Sequence, residues 1–350
     1  MGTLRVAILG HGTVARATTE LLAAIGPALR EERGVTFRFT GALTLRRGGW
    51  LHPDGVSAEL LRASGWPGSP APGGAEPFSG DGLQFVRACA ADVLVELTPL
   101  SPLDGEPARS HLEAALRRGM NVVTANKGPI AHALRPLRAL ARERGRRLLF
   151  ESTVMDGAPL FNLRSRCLPG TRVLGVRGVL NSTSGHVSDR LARGDTLEAA
   201  IQDARRLGIA EADPSHDLDG WDSAVKAAVL ANALMDADLR PQQVRREGCG
   251  GEALRAAVVA APPGSRVRQL VEIARGENGS ASALVRVRAL DPGSVLASLR
   301  GMETAVTLTT DTMGDLTIVE GEGGPSQTAF GVIADLVELA LARSVAERLE

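Results

Sequence analysis

The residues whose types and spacing point to chemistry are two lysines, a run of acids, a glycine-rich loop and a pair of arginines. Residues 211–222 carry five carboxylates in twelve positions (Glu211, Asp213, Asp217, Asp219 and Asp222), punctuated by Pro214 and Gly220. This is too polar for a core and too rich for a helix cap. Asp222 and Lys226 are four residues apart, which on a helix puts both on one face, where a carboxylate can hold an ammonium in place. The plainer alternative is a solvated surface pair worth about 0.3–0.5 kcal/mol. Lys127 stands in Thr124-Ala125-Asn126-Lys127-Gly128-Pro129, just after an apolar run that reads as a strand. It therefore emerges at the carboxyl edge of a sheet, where ligands of open α/β folds collect. A lone loop lysine is commonly only solvated, so its position is the argument for function.

Gly10-His11-Gly12-Thr13-Val14-Ala15 lies between a first apolar run and a first amphipathic stretch. In that setting Gly10 permits a tight turn, Gly12 lets a pyrophosphate approach the backbone, and Ala15 keeps helix and strand close. Thr13 and Val14 open the helix, whose unpaired N–H groups and partial positive charge suit phosphate. An ordinary strand-to-helix turn is the alternative. At the end of the next apolar run an NAD-selective site needs an acid for the ribose 2′-hydroxyl, but Leu45 is followed by Arg46 and Arg47. Arginine grips a 2′-phosphate with a bidentate fork, which favours NADP; a solvated arginine pair is the other reading.

These residues require a scaffold of βαβ units, and the first 150 residues supply the pattern. Strands are expected at Arg5–Leu9, Phe37–Leu45, Asp92–Leu97, Asn121–Thr124 and Arg147–Phe150. The first helix carries Val14, Ala17, Leu21 and Ile25 on one stripe and is interrupted at Gly26-Pro27. A second starts near Pro107, carries Leu112, Ala115 and Leu116, and stops at Gly119; a third covers Ile130–Arg144. Gly65–Gly82, rich in Gly, Pro and Ser, reads as a surface excursion. The pattern then changes to strands mixed with long polar-apolar segments at Arg172–Leu180, Leu197–Leu207, Asp222–Ala237, Ala283–Ala289 and Thr304–Thr310. Thr328–Leu349 has Phe330, Ile333, Leu336, Val337, Ala340 and Leu341 at helical spacing and should dock on an earlier element. The expectation is an α/β protein: a Rossmann-type dinucleotide-binding domain over residues 1–150, joined by the C-terminal helix 326–350, and an α+β domain over 151–325 for substrate and dimerisation.

Composition narrows the class of partner. The 350 residues hold 40 Lys+Arg against 40 Asp+Glu, so no net field recruits nucleic acid or an anionic membrane. The expected partners are small molecules and other subunits. Three cysteines without CxxC spacing argue against a disulfide framework or a zinc site and for a reducing cytoplasm. The N-terminal apolar run is too short for a signal peptide, no stretch approaches the ~20 apolar residues of a membrane span, and no room is left for a separate regulatory domain. With no tyrosine in the chain, chemistry that needs a phenol is excluded.

The chain resembles homoserine dehydrogenase along nearly its whole length. The resemblance rests on the Gly10–Ala15 loop, Val95-Glu96-Leu97-Thr98-Pro99, the Thr124–Lys127 tetrapeptide, Glu151-Ser152-Thr153-Val154, Gly178-Val179-Leu180-Asn181-Ser182-Thr183-Ser184, the Glu211–Lys226 segment and Gly321-Glu322-Gly323-Gly324-Pro325-Ser326. It implies NAD(P)-dependent interconversion of L-homoserine and L-aspartate 4-semialdehyde in threonine and methionine biosynthesis. By the same resemblance Lys127 and Lys226 are paired lysines near the substrate oxygen, and Asp222 orients Lys226. Glu211 and Asp217 hold the substrate ammonium, Thr183 forms a polar wall, and Thr98 and Pro99 line the nicotinamide pocket with Lys127 nearby. A monovalent cation such as sodium is implied at Glu151, Val154, Asp156 and Ala158, although Met155-Asp156-Gly157-Ala158-Pro159 replaces the family's glycine-rich run ending in Ile-Pro. A homodimer in the cytoplasm is implied as well. Ser182 stands where the family often has Gly, which narrows the substrate pocket, and Gly185-His186 replaces an Asn-Tyr pair; a core or exposed role is expected for His186. The same residues also allow a dehydrogenase of a related small amino or hydroxy acid, or a non-catalytic NADPH-binding sensor.

Overall fold

The computed structural model of the chain describes residues 2–101, 103–211 and 213–346. It divides into two units, one of Met1–Pro159 with Gly324–Glu350 and the other of Leu160–Gly323.

The apolar runs of the first unit form a seven-stranded sheet of β1 (Gly2–Leu9), β2 (Val35–Thr44), β3 (Gly48–Val56), β4 (Glu76–Phe78), β5 (Val93–Glu96), β6 (Asn121–Thr124) and β7 (Leu148–Leu149), in the order β4-β3-β2-β1-β5-β6-β7. The strands from β2 to β7 along that order run parallel, as strands buried by crossover helices do. The helices are α1 (Thr13–Arg33), α2 (Ala58–Ser64), α3 (Gly82–Ala88), α4 (Ala108–Arg117) and α5 (Lys127–Glu143). All five expected strands are present.

Two local expectations differ. Helix α1 is not interrupted at Gly26-Pro27; it continues to Arg33 and ends at Gly34 in the left-handed conformation. Pro27 is exposed, while Ile25 and Leu29 keep packing on the core. The expected excursion Gly65–Gly82 is also not wholly irregular, because β4 lies within it and pairs antiparallel with β3, which itself pairs antiparallel on the β2 edge. Their sequences, with three glycines in β3 and a proline in each, carry no period-two signal.

The second unit carries α6 (Leu160–Asn162), β8 (Val173–Val179), α7 (Ser182–Ala192), α8 (Leu197–Arg206), α9 (Ser215–Leu218), α10 (Trp221–Met235), β9 (Arg245–Glu247), α11 (Gly251–Val259), β10 (Arg266–Arg275), β11 (Ala281–Leu290), α12 (Val295–Ser298), β12 (Thr304–Thr310) and β13 (Gly314–Glu320). Its six strands follow the order β13-β12-β8-β10-β11-β9, antiparallel except for β9 against β11. Val187, Leu191, Ala200, Leu218, Leu254 and Val267 form one core of helices on this sheet.

The chain returns to the first unit through α13 (Pro325–Ala346), where Val332, Ile333, Leu336, Leu339 and Ala340 join the core of β1 and α1. Phe330, expected on that stripe, is 53% exposed. Residues 347–349 of the expected helix lie outside the described residues. A short 3₁₀ turn, Glu151–Thr153, sits against α13: the Glu151 N–H donates to Asp335 (3.0 Å) and the Ser152 hydroxyl to the Thr328 carbonyl (2.8 Å). These bonds place residues 151–159 with the first unit. Among the described residues, no helix is long and apolar enough to cross a membrane.

Candidate active site

In the first unit the glycine loop is tied to the end of β2 by N–H groups of Gly10 and His11, which both donate to the Leu43 carbonyl (2.9 and 3.2 Å). Gly10 has φ +95°, and a Cβ there would lie 2.5 Å from the Leu97 carbonyl group, so only glycine fits. Gly12 caps α1 without a side-chain bond, and the first turn carries no acid. Gly12 and Thr13 are exposed and Val14 half-buried. The arrangement presents an open, positively polarised helix start to an anion.

Next to this loop, β5 and β6 end together. Glu96 is fully buried at the end of β5 and accepts from the Thr98 N–H (3.0 Å), the Thr98 hydroxyl and the Thr124 hydroxyl (3.3 Å). Asn126 caps α5, its side-chain oxygen taking the Gly128 N–H (3.0 Å), while its amide donates to the carbonyls of Thr98 (3.0 Å) and Pro99 (3.4 Å). Thr98-Pro99 and the start of α5 are thus held together from both sides. Lys127 is the first residue of α5, half-buried, beside this clamp. Type and spacing single out neither Glu96 nor Asn126; α5 starts at Lys127, three residues before the expected Ile130, and an Asn directly before that start is the one signal that could have found the cap.

Arg46 and Arg47 form the exposed turn between β2 and β3. Arg47 donates to the Pro67 carbonyl (3.2 Å) and lines a cavity with Arg16, Arg62 and Trp66. Arg46 does not line it. Arg62 and Trp66 are invisible to sequence reasoning, since they lie in a stretch with no motif.

The second unit brings three of the expected residues onto one cluster. The Lys226 ammonium donates to the Leu180 carbonyl at 2.6 Å and lies 3.3 Å from Asp222, as the four-residue spacing on α10 requires. Both partners are mostly covered, with side chains 16% and 13% exposed. Asn181 is the residue the sequence reading did not assign. Its amide nitrogen donates to Asp217 (2.8 Å) and Asp222 (3.1 Å), and its oxygen caps α7 through the Ser184 N–H (2.8 Å). Burial, reinforced by the charge of Asp222, pushes the Asp217 carboxyl above the usual range, against the pull of Asn181, Thr183 and Lys226. Buried Gln269 on β10 fixes the Asp217 turn through the carbonyls of Asp217 and Leu218 (both 3.1 Å).

Thr183 is buried and donates to the Ile209 carbonyl (2.8 Å). Glu211 is exposed, and its backbone carbonyl accepts from Arg205 (3.4 Å). Ser182 turns its hydroxyl to the Met302 carbonyl (3.1 Å), and His186 pairs with Asp203 at 2.9 Å.

The candidate cation residues lie in the first unit. Glu151 is 2% exposed and Val154 5% exposed, and the Asp156 carboxylate accepts from the Thr328 hydroxyl (2.9 Å). Among the described residues no cluster of three or more His, Cys, Asp or Glu side chains is suited to a metal. The donor set that the resemblance implies, one buried carboxylate with backbone carbonyls, would be hard and weakly charged. It fits a monovalent cation better than a divalent one.

Residues 68–151 match the family model of the homoserine dehydrogenase NAD-binding domain, and residues 159–337 match that of homoserine dehydrogenase itself. The chain is 34% identical over 342 residues to an NAD(+)-dependent homoserine dehydrogenase of Pseudomonas canavaninivorans, covering 97% of each chain. It is 31% identical to homoserine dehydrogenase of Sulfurisphaera tokodaii, over 75% of this chain and 81% of that one. Among solved structures it superposes on a putative homoserine dehydrogenase of Archaeoglobus fulgidus with a TM-score of 0.80 at 26% identity, covering 96% and 99% of the two chains. A hyperthermophilic archaeal homoserine dehydrogenase in complex with NADPH also gives a TM-score of 0.80 at 26% identity, covering 97% and 98%. The chain belongs to the homoserine dehydrogenase family, NAD(P)-dependent oxidoreductases acting on a CH–OH group.

Proposed function

We propose that the protein interconverts L-homoserine and L-aspartate 4-semialdehyde, with Lys226 handling the proton. The observation that carries this reading is the Lys226–Asp222–Asn181–Asp217 cluster, built within the second unit of a chain of this family. When NAD(P) is bound it supplies the hydride acceptor for alcohol oxidation and the donor for the reverse reaction. In its neutral amine form, its own proton having first passed to solvent, Lys226 takes the substrate hydroxyl proton in the forward direction, and in its ammonium form it gives a proton to the aldehyde oxygen in the other. Asp222 and the Leu180 carbonyl fix the position of its nitrogen. Asp217 and Glu211 provide negative charge for the substrate ammonium, and Thr183 a polar wall.

In the first unit, the start of α1 at Gly10, Gly12, Thr13 and Val14 takes the pyrophosphate, and Thr98, Pro99 and Lys127 serve the nicotinamide end. The cavity at Arg47, with Arg46 on the same turn, takes the adenosine end and favours NADP. This sets the protein apart from its NAD(+)-dependent relative. Glu151, with the carbonyls of Val154, Asp156 and Ala158, would hold a monovalent cation as a structural ion; no reaction step passes through it. The assembly is a homodimer and its place is the cytoplasm. Ser182 does not argue for a different substrate, because its hydroxyl is committed to Met302.

The test is absorbance of reduced nicotinamide with purified protein, L-homoserine and NADP or NAD, repeated with Lys226→Ala. Wild type should generate the signal, and the variant should lose at least about a hundredfold in kcat with cofactor affinity kept. A variant that turns over like wild type removes Lys226 from the mechanism. Cofactor binding without turnover of either alcohol or semialdehyde would instead identify a sensor.

A further inference from the structure

The cavity beside the glycine loop measures about 260 Å³. Arg16, Arg47 and Arg62 surround it against one carboxylate, Glu20, so its balance is cationic. Its floor is made by His11, 5% exposed, whose ring meets Trp66 edge-on at 4.9 Å between centroids. Trp66 in turn meets Trp50 edge-on at 6.1 Å. Neither ring nitrogen of His11 has a hydrogen-bond partner among the described residues. Buried polar atoms are normally satisfied; both nitrogens are covered and unbonded in a ring that lines a charged cavity, so a turn of the ring toward the cavity would let a ligand complete the bond. In the sequence His11 is only the residue between Gly10 and Gly12; its burial against Trp66 is a property of the fold.

We infer that His11 is a cofactor-specificity residue whose imidazole bonds the phosphate on the ribose 2′ position of NADP, completing a site whose rim is Arg16, Arg47 and Arg62. The inference rests on the proposed assignment of this cavity to the adenosine end of NADP. Burial, with a further push from Arg16, lowers the His11 pKa to about 4, so the ring is neutral in the empty cavity at neutral pH. The charged groups around it are Arg16 and Glu20 from α1, Arg47 from the β2–β3 turn and Arg62 from α2. A 2′-phosphate carries close to two negative charges at neutral pH, offsets the net positive charge of that surrounding and, bonded to the ring, raises the His11 pKa. NADPH binding is therefore coupled to proton uptake, and NADH binding is not.

The experiment is calorimetric titration of the protein and of His11→Phe with NADPH and with NADH, at pH 7 in two buffers of different ionisation enthalpy. Phenylalanine keeps a ring against Trp66 and removes both nitrogens. Wild type should take up part of a proton per NADPH and none per NADH. The variant should bind NADPH about tenfold more weakly, with no His-linked uptake, and bind NADH within about twofold of wild type. Below the pKa that His11 has in the complex, and above its free value near 4, the free protein is neutral while the complex is protonated, so the wild-type advantage should grow toward tenfold per pH unit. Titration of the phosphate itself is common to both proteins and cancels in this comparison. A variant with the wild-type proton count, or one that weakens NADPH and NADH equally, overturns the role of His11 while leaving the cavity's assignment in place. Wild type that binds NADPH no more tightly than NADH overturns that assignment, and the inference with it.

Discussion

Replacing Asp217 with asparagine should stabilise the protein while disabling it. Asp217 and Asp222 each accept from the same Asn181 nitrogen, at 2.8 and 3.1 Å, so the two carboxylate oxygens are no more than about 6 Å apart. At an effective dielectric of about 20, two like charges at that distance repel by about 3 kcal/mol. Lys226, 3.3 Å from Asp222, offsets most of this, leaving a net cost on the order of 1 kcal/mol. Burial and Asp222 raise the folded pKa of Asp217 above its unfolded value. The native state then binds more protons than the unfolded state, so this carboxylate costs stability above its folded pKa, and the cost fades as pH falls through it. The replacement amide keeps an oxygen for the Asn181 side chain and carries no charge. We expect Asp217→Asn to raise Tm by about 2–4 °C at pH 7–8, with the gain gone below about pH 4, and to raise KM for homoserine about a hundredfold or more. Thermal melts across pH with parallel kinetics read both effects. A Tm that falls, or a gain that does not depend on pH, would show that the charge of Asp217 is not a net burden on the fold.

The Arg47 and Arg46 positions separate by geometry, since only Arg47 lines the cavity and bonds Pro67. Arg47→Asp should weaken NADPH by about ten- to a hundredfold with little change for NADH, and Arg46→Asp should do less; fluorescence titration measures both, and equal losses for the two cofactors would refute the phosphate contact. At Gly331, a Cβ would lie 2.1 Å from the Ser152 hydroxyl oxygen and 3.1 Å from the Asp156 carbonyl. Gly331→Ala should therefore cost about 1–3 kcal/mol, seen as a lowered Tm, and Ser152→Ala in the same background should recover most of it; an unchanged Tm in the single variant would show that the 3₁₀ turn shifts freely.

The parallel strands were legible because each is a short apolar run ended by a turn residue, and Asn121–Thr124 matches to the residue. The β3–β4 addition was not, because its pairing is supplied by the β2 edge and leaves no period in Gly48–Val56. Pro27 misled for a related reason: it removes one intrahelical bond, and the packing of Ile25 and Leu29 on the core, which only the fold supplies, outweighs that loss. In the site, Asp222 and Lys226 could be paired from spacing alone. Asn181, Glu96, Asn126 and His11 could not, because each acts through neighbours distant in sequence: 36 and 41 residues for the two carboxylates of Asn181, 28 for the bond of Glu96 to Thr124. Types and spacing reveal groups that perform chemistry on one element, whereas the groups that hold them appear only when strands and helices are brought together.

This division bears on how one fold serves both an NAD(+)-dependent relative and an archaeal structure holding NADPH. On the proposed assignment the pyrophosphate end is met by backbone, at Gly10, Gly12 and the uncapped start of α1, and backbone does not distinguish the two dinucleotides. Discrimination then falls to side chains on exposed connections, Arg47 on a two-strand turn and Arg62 on a short helix, where substitution disturbs little packing. The cluster proposed to handle the proton is built from bonds among Asn181, Asp217, Asp222 and Lys226, all residues of the second unit. Cofactor preference can therefore change by substitution at the cavity without reworking the chemistry. A variant at Arg47 or His11 that altered kcat at saturating cofactor would break this separation, and one that altered only cofactor affinity would uphold it.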